Sequence, residues 1–252
     1  MTGKSSQAYL TPSWPVPANV KAYVSTRKGG VSQGEFSSLN LGAHVGDKMS
    51  DVQTNRQLFS SIVAMPDSLI WLNQVHGIDV AVLPNDCGSI AADAATTTEL
   101  GQVCAVLTAD CLPVFFCNKS GTQVAVAHAG WRSLCSGVLE ETLSHFNVSD
   151  DIVVWLGPAI GPEAFEVGGE VRDAFIERQK EAEAAFTLQN NGKWLGDLYL
   201  LARQRLVAQG VTEVYGGDFC TYQNEDQFFS YRRDGKTGRM ASVIWLEELF
   251  SV

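Results

Sequence analysis

The chain has 252 residues, of which 45% are hydrophobic and 18% charged, a composition typical of a soluble globular protein. This length suits one hydrophobic core, and we expect a single domain over residues 1–252. The formal net charge of −10 argues against nucleic acid or an anionic membrane as the main partner. A small anion could still bind to a local cluster of arginines. We see neither a secretory signal nor an apolar run of membrane-spanning length, and we expect a cytoplasmic protein.

The predicted elements mix strands with helices. The first strand, at 20–24, leads into a glycine-rich loop at 25–32, and Ser50 or Asp51 is expected to cap a helix that runs to about residue 64. Further strands are predicted at 69–72, 79–83, 103–107, 114–117, 123–127, 152–156, 211–216 and 239–246, and further helices at 132–146, 168–186 and 196–209. Strict alternation of strand and helix is missing. The pattern therefore predicts an α+β fold with mixed sheets.

Three short segments concentrate the residues that carry chemistry: 73–77 (NQVHG), 108–113 (TADCLP) and 127–132 (AHAGWR). The chain has four histidines, and two of them, His76 and His128, lie in these segments together with Cys111. Two imidazoles and one thiolate form a three-ligand zinc set that leaves a coordination position for water or substrate. Each ligand follows a predicted strand, and Pro113 is expected to keep its segment out of a central ladder. The spacing predicts an open metal centre assembled from distant segments.

Each of these residues also has an ordinary interpretation. A single histidine at a strand end is more often a surface residue, and a single cysteine is more often part of the core. The joint occurrence, with Gln74 and Asp110 beside the ligands, favours a site. The five other cysteines form no Cys-x-x-Cys pair and are expected to be free thiols. His44 could carry a proton at the site or simply close a loop.

A second feature of the sequence indicates anion binding. The predicted helix at 132–146 begins directly after His128, and free backbone N–H groups at a helix start favour phosphate or carboxylate. Arg132 adds a formal charge there, and we favour a substrate role for it over the alternative of a helix capped by Ser133 with Arg132 in solvent. Arg27, in its glycine-rich loop, and the pair Arg232 and Arg233 are weaker candidates.

Together with segments 25–32, 38–42, 157–161 and 229–239, these motifs resemble the YfiH-like family, also called the laccase-domain or multicopper polyphenol oxidase family and interpreted more recently as purine nucleoside phosphorylases. The resemblance implies a zinc held by His76, Cys111 and His128, and an α+β fold of packed mixed sheets flanked by helices, related to cysteine hydrolases. It also implies phosphorolysis of adenosine, inosine and methylthioadenosine, with adenosine deamination. Phenol oxidation with copper and hydrolytic editing of a cell-wall precursor are further activities associated with the family.

The resemblance makes a zinc-dependent purine nucleoside enzyme our primary hypothesis, and the number of histidines argues against the multicopper oxidase. Four histidines cannot supply both a blue-copper site and a separate oxygen-reducing copper cluster, although one copper ion could occupy the two-histidine, one-cysteine set in vitro. We expect nucleoside and phosphate as small-molecule partners, and the oligomeric state stays open. The expected catalytic residues are Cys111, Asp110 (a proton carrier) and His76, and the expected substrate or phosphate contacts are Arg132, Arg27, Gln74 and His44.

Two alternatives remain from the residues alone. In a hydrolase, Cys111 would be the nucleophile and would pair with His76 or His128. In a non-catalytic module, the zinc coordination would be closed by a fourth protein ligand, for which His44 or Cys87 are the candidates. Sequence spacing does not separate these alternatives, because the same three residues serve in each.

Overall fold

The structure is a computed structural model that describes residues 7–84, 90–148 and 150–248. Its strands, numbered in chain order, are β1 (Tyr9–Leu10), β2 (Val20–Ser25), β3 (Ser68–Leu69), β4 (Val80–Leu83), β5 (Ala94–Thr97), β6 (Gln102–Thr108), β7 (Leu112–Asn118), β8 (Val124–Ala129), β9 (Ile152–Leu156), β10 (Glu166–Val167), β11 (Phe186–Leu188), β12 (Trp194–Gly196), β13 (Glu213–Gly216) and β14 (Met240–Leu246). Its α-helices are α1 (Met49–Ile62), α2 (Trp131–Ser136), α3 (Val138–Ser144), α4 (Gly169–Arg178), α5 (Leu198–Ala208) and α6 (Tyr231–Asp234).

Two mixed sheets form the centre of the fold. The five-stranded sheet has the order β1-β2-β14-β6-β3, and the six-stranded sheet has the order β13-β9-β7-β8-β5-β4. A separate three-stranded sheet, β10-β12-β11, lies outside them. Parallel pairs such as β4 with β5 occur beside antiparallel pairs such as β7 with β8. The predicted α+β class with mixed sheets is therefore confirmed.

Alternation of side chains along the strands divides the core into layers. Phe115 of β7 packs between the two sheets, whereas the next residue, Phe116, faces the helices α2 to α5. In β6, Cys104 points between the sheets, and Val103 packs with Phe59 of α1 on the far side. Successive side chains of a strand point to opposite faces, so strands covered on both sides are apolar throughout. The result is a helix, two packed sheets and a second group of helices.

Gly137 divides one predicted helix into two. Its φ of +110° is a left-handed conformation that ends α2 and begins α3, where a single helix over 132–146 was predicted. The predicted helix over 168–186 is likewise shorter, because α4 ends at Arg178 and a 3₁₀ turn follows at Lys180–Ala185. In both places the helical spacing of apolar residues continues past the end of the helix, which is why the sequence predicted one longer helix.

Other expectations failed at element ends and in the shortest strands. Helix α1 begins at Met49 after Lys48, with no side-chain cap, so neither Ser50 nor Asp51 caps it. Pro113 is the second residue of β7, a central strand, where it lies opposite His128. The unpredicted elements are β1, β5, β10, β11, β12 and α6.

In the parts of the chain that the structure covers, no helix has the length and apolarity needed to cross a bilayer.

Candidate metal centre

The fold brings the three predicted ligands together. One ligand atom from each of His76, Cys111 and His128 lies within 4.8 Å of those from the other two, and the Nε2 of His76 is 4.0 Å from the Sγ of Cys111. The two imidazole rings meet edge to face, with centroids 4.8 Å apart. His128 is buried, Cys111 is half-buried and His76 is exposed. The centre is therefore open to solvent on its His76 side.

His76 is held in a strained backbone conformation. Its φ is +59°, which is uncommon for a residue with a side chain. The backbone N–H groups of Val75, His76 and Gly77 all donate to the carboxylate of Asp93, at 3.1, 3.0 and 2.6 Å. These three charge-assisted hydrogen bonds hold the loop in the shape that points the imidazole of His76 at Cys111.

Asp93 also orients His128. Its Oδ1 lies 2.8 Å from the Nδ1 of His128, and its backbone carbonyl accepts the N–H of the same residue at 2.6 Å. Burial alone raises the pKa of Asp93, but the hydrogen bonds from His128 and from the N–H of Gly77 outweigh it and hold that pKa below its usual range. An ionised Asp93 keeps the proton of His128 on Nδ1. Nε2 is then the nitrogen available to a metal, which is a common arrangement for zinc ligands.

Cys111 stands in the turn between β6 and β7, next to the left-handed Asp110, whose φ is +89°. Burial acts to raise the pKa of Cys111, but the charge of His128 and hydrogen bonds with His128 and His76 lower it to about 6. The same pairing raises the pKa of His128 against the effect of its burial. Cys111 is therefore a thiolate at neutral pH, the form that binds metal or attacks an electrophile.

The carboxylate of Asp110 faces the C-terminal part of the chain. Its Oδ1 accepts the hydroxyl of Thr221 at 2.6 Å, and its Oδ2 accepts the N–H of Arg232 at 2.7 Å. The carbonyl of Asp110 accepts the N–H of Ile160 at 2.9 Å. Both carboxylate oxygens thus serve to hold the turn that presents Cys111, which does not suit the predicted role of proton carrier.

Gly130 leaves room for two of the ligands. A Cβ at this position would lie 3.0 Å from Cδ2 of His76 and 3.1 Å from Sγ of Cys111. Both separations are shorter than ordinary contacts between carbon and these atoms. The glycine that follows β8 is therefore needed for the close approach of the three segments.

A cavity of about 520 Å³ opens beside the three ligands, and we call it the central cavity. Besides the ligands, the residues that line it are His44, Leu72, Asn73, Gln74, Leu107, Thr108, Ala109, Tyr231 and Arg239. Its volume falls in the range of small-molecule sites. A ligand in this cavity can reach the exposed side of the His76–Cys111–His128 centre.

Gln74 and His44 both line the central cavity beside the three ligands. The side chain of Gln74 is occupied by the backbone of Leu107, since its amide donates to the carbonyl at 2.9 Å and accepts the N–H at 2.7 Å. Gln74 thus fastens the His76 segment to β6. Burial, and then the charges of Arg239 and Arg56, lower the pKa of His44.

The two arginines predicted to bind phosphate lie elsewhere. Arg132 is exposed, stacks on Trp131 at 4.4 Å and does not line the central cavity. Helix α2, which starts beside it, has only six residues. Arg27 donates to the carbonyls of Ser37 and Glu225, at 3.1 Å each, on a different part of the surface.

Sequence reasoning missed two residues of the site. Asp93 is fully buried and organises two ligands, and its signal was an acidic residue inside an otherwise apolar run at 91–95. Arg239 lines the central cavity, and nothing in the sequence around it indicates this position. Of the two suggested fourth ligands, His44 is not grouped with the centre, and Cys87 lies outside the described residues.

The donor set suits zinc and also copper, since both accept imidazole and thiolate. Within residues 7–84, 90–148 and 150–248, this is the one group of histidine, cysteine or acidic side chains close enough to hold an ion. All four histidines of the chain lie in those ranges. The described residues therefore provide no second cluster for multicopper chemistry.

Comparison with known proteins places the chain in a family. A family model described as multi-copper polyphenol oxidoreductase laccase matches residues 21–247. The chain is 56% identical to the purine nucleoside phosphorylase YfiH of Escherichia coli over 239 residues, covering 94% of this chain and 98% of that protein. It is 49% identical to a purine nucleoside phosphorylase of Haemophilus influenzae over 241 residues, covering 94% and 99%.

Solved structures agree with this similarity. The Neisseria meningitidis protein NMB0706 superposes with a TM-score of 0.91 at 50% identity, covering 96% of this chain and all of that one. YlmD of Geobacillus stearothermophilus superposes with a TM-score of 0.85 at 33% identity, covering 98% of each chain. The chain therefore belongs to the laccase-like family defined by this model, together with the YfiH proteins that it resembles over nearly its whole length.

Proposed function

We propose that the protein is a zinc-dependent purine nucleoside phosphorylase that acts on adenosine, inosine and methylthioadenosine, and that it also deaminates adenosine. The observation that carries this proposal is the open centre of His76, Cys111 and His128 in the wall of a cavity of about 520 Å³. That volume suits a ligand of nucleoside size. The names of several relatives, purine nucleoside phosphorylase, point in the same direction.

His76, Cys111 and His128 would hold the zinc, through Nε2 of each histidine and the thiolate. When bound, zinc supplies a Lewis acid that polarises an oxygen or lowers the pKa of a water molecule. Asp93 fixes the tautomer of His128 and the loop of His76, so the ligands are ordered in advance. Of the three residues predicted to be catalytic, His76 and Cys111 then act as ligands, and Asp110 acts as a positioning residue.

Phosphorolysis sets two requirements for the cavity. Phosphate forms a bond to the anomeric carbon of the ribose while the glycosidic C–N bond breaks, and the electron pair of that bond leaves with the purine. The cavity must therefore hold a nucleoside and an anion side by side and keep bulk water away from the ribose. Arg239 in the cavity wall meets the need for positive charge, and His44 beside it offers a hydrogen-bond donor.

Product analysis tests the proposal. Purified, zinc-loaded protein is incubated with inosine in the presence and absence of phosphate. We expect equal amounts of hypoxanthine and ribose 1-phosphate, formed only with phosphate, and loss of both products in Cys111→Ser. Free ribose as the sugar product, or no product with zinc bound, would sink the phosphorylase proposal. Release of inosine and ammonia from adenosine without phosphate tests the deaminase activity separately.

One observation favours a second candidate, a cysteine hydrolase, for which the resemblance suggests a cell-wall precursor as substrate. Asp93, His128 and Cys111 are ordered like an acid, a base and a nucleophile, and the pKa of Cys111 is lowered to about 6. A hydrolase of this kind does not need the second imidazole of His76 beside the thiolate. Removal of the metal separates the two candidates. The hydrolase would keep its activity in the metal-free protein, whereas the phosphorylase would lose it.

The family description suggests copper, which would compete well for the same three ligands. Copper-loaded protein should therefore be assayed beside zinc-loaded protein, with a phenol and with inosine plus phosphate. Our proposal requires that phosphorolysis of inosine is faster in the zinc-loaded protein than in the copper-loaded protein. Phenol oxidation that is faster than phosphorolysis at one copper per chain would favour the oxidase instead.

A further inference from the structure

We propose that His44 and Arg239 bind the phosphate co-substrate at the wall of the central cavity, and that Arg56 adds positive charge behind them. This inference rests on the proposed function and assigns a site to its anion. It replaces Arg132, which the sequence favoured and which lies exposed outside the cavity.

Arg239 makes no direct ion pair in the described structure, although the charges of Cys111 and Asp110 act on it from a longer distance. Its Nη1 donates to the carbonyls of Thr237 and Gly238, at 3.0 Å each, and these are neutral acceptors. No carboxylate in the described part of the chain lies within ion-pair distance of it, whereas Arg172, Arg205 and Arg233 all have such a partner. Because the side chain lines the central cavity, its remaining N–H groups can serve a ligand there.

The backbone of Arg239 is held in place by the loop at 40–42, and its guanidinium by the carbonyls of Thr237 and Gly238. Its backbone N–H donates to Oδ1 of Asn40 at 2.9 Å, and its carbonyl accepts the N–H of Leu41 at 3.1 Å. A Cβ on Gly42 would lie 2.7 Å from Cγ of Arg239, so the glycine provides the space in which this side chain runs. A charge that is fixed before binding loses little entropy when an anion arrives.

Arg56 is a second guanidinium without an acidic partner among residues 7–84, 90–148 and 150–248. Its Nε donates to the carbonyl of Leu41 at 3.0 Å, and its guanidinium stacks on Trp71 at 4.1 Å. Arg56 and Arg239 thus both contact the short loop that leads to His44. Burial and these two charges keep His44 neutral at physiological pH, and a neutral imidazole can still donate one N–H to an anion.

The positive charge of Arg56 and Arg239 stands out in a chain whose net charge is negative. The chain has 28 acidic and 18 basic residues, yet neither of the two half-buried arginines Arg56 and Arg239 has a carboxylate within ion-pair distance in the described structure; the acidic groups whose charge acts on Arg239 are Cys111 and Asp110. Burial lowers the pKa of both Arg56 and Arg239, so holding each guanidinium in its charged form costs free energy, which a bound anion would offset. Phosphate suits such a site, because guanidinium binds its oxygens through paired hydrogen bonds.

A second chamber provides a way in for the anion. This outer cavity of about 290 Å³ shares His44, Tyr231 and Arg239 with the central cavity and is lined further out by Lys236. The phosphate site proposed here lies where the two cavities meet. An anion can therefore reach Arg239 through the outer cavity while a nucleoside occupies the central one.

Two measurements on the zinc-loaded protein test the proposal. Calorimetry gives the Kd for inorganic phosphate, and steady-state kinetics give the KM for phosphate and for inosine. We expect Arg239→Gln to raise the Kd and the KM for phosphate by at least about tenfold. The KM for inosine, the zinc content and the melting temperature should stay close to those of the unchanged protein. Arg178→Gln, which removes an exposed arginine without an ion pair in the described structure, is the matched control.

Several outcomes decide the proposal. Unchanged phosphate affinity in Arg239→Gln would overturn it, and so would a loss of affinity in Arg132→Gln instead. His44→Gln should weaken phosphate binding by a smaller factor, which provides a second variant if Arg239→Gln does not fold. Titration with adenosine 5′-monophosphate separates free phosphate from a nucleotide phosphoryl group; tighter, Arg239-dependent binding of the nucleotide would contradict the assignment to free phosphate.

Failure of the subsite and failure of the proposed function can be told apart. Phosphate binding that depends on Arg239, in a protein that makes no ribose 1-phosphate, would contradict phosphorolysis and support the anion site. Phosphorolysis with an unchanged phosphate KM in Arg239→Gln would support the function and overturn the site.

Discussion

Asp93 hydrogen-bonds the Nδ1 of His128 at 2.8 Å. The same carboxylate accepts three backbone N–H groups around His76, so one buried acid orients two ligands that come from separate segments of the chain. Groups that orient metal ligands in this way affect metal affinity strongly, although they do not touch the metal.

Asp93→Asn should therefore weaken zinc binding by about 10- to 100-fold. The amide keeps the shape of the carboxylate but loses its charge. Its NH₂ group cannot accept a hydrogen bond, so the four hydrogen bonds that Asp93 accepts cannot all form. Competition with a chromogenic chelator measures the zinc affinity. Asp67→Asn, which changes an exposed acid, is the control. Equal zinc affinity in Asp93→Asn and in the unchanged protein would show that Asp93 does not position the ligands.

In the metal-free protein, the reactivity of Cys111 should follow a pKa of about 6. Because this pKa is lowered, the thiolate is present above about pH 6 and is lost as the pH falls through that value. The rate of alkylation by iodoacetamide, followed against pH by mass spectrometry of the Cys111 peptide, should show this midpoint. His128→Gln removes the main opposing charge, so the midpoint should move up towards the ordinary value of 9.0. A midpoint that does not move would contradict the pairing.

Gly130→Ala should disturb the centre without unfolding the protein. The added methyl group would lie 3.0 Å from the His76 ring and 3.1 Å from the Cys111 sulfur, and at least one ligand must move. Because site geometry has to hold within about 0.5 Å, we expect zinc affinity to fall by about tenfold. Gly169→Ala, at the start of α4 with no atom closer than 4.0 Å, is the matched control. Equal zinc affinity in the two variants would refute the crowding argument.

Asp110→Asn distinguishes a positioning role from proton transfer. If the carboxylate holds the Cys111 turn through Thr221 and Arg232, the variant should lose about 1–3 kcal/mol of folding free energy, measured by denaturant unfolding. A residue that carries the proton would instead lower kcat by about 10²- to 10⁴-fold with little loss of stability. We expect the first pattern, and the second would restore the proton-carrier role. Thr221→Val, which removes one of the same hydrogen bonds, should show a similar loss of stability.

Much of this site could be predicted from the sequence because its ligands lie at or beside strand ends, although His128 is the next-to-last residue of β8 and not, as expected, the residue after that strand. The apolar runs that became β6 and β8 gave the positions of Cys111 and His128, and the glycine-rich turns marked where side chains could leave the sheet. Asp93 was missed because its role comes from contacts with residues 75–77 and His128, which lie far away in sequence. Arg239 was missed for the same reason, since its contacts at the cavity are made with the loop at 40–42, which is also far away in sequence.

The errors in the fold have equally local causes. Apolar periodicity continues across Gly137, and the break between α2 and α3 depends on the left-handed backbone of that one residue. The strands β10, β11 and β12 have only two or three residues each, too few for an alternating pattern to be recognised. Arg132 was favoured because a helix start was expected to face the site, and the helix there proved short, with its arginine stacked on Trp131.

The most direct test of the account is to titrate zinc into metal-free protein while phosphorolysis of inosine is measured. We predict that the metal-free protein is inactive, that activity rises in proportion to zinc and reaches its plateau at one zinc per chain, and that Cys111→Ser neither binds zinc tightly nor recovers activity. Full phosphorolysis in the metal-free protein, or in Cys111→Ser, would contradict the claim that His76, Cys111 and His128 hold a catalytic zinc.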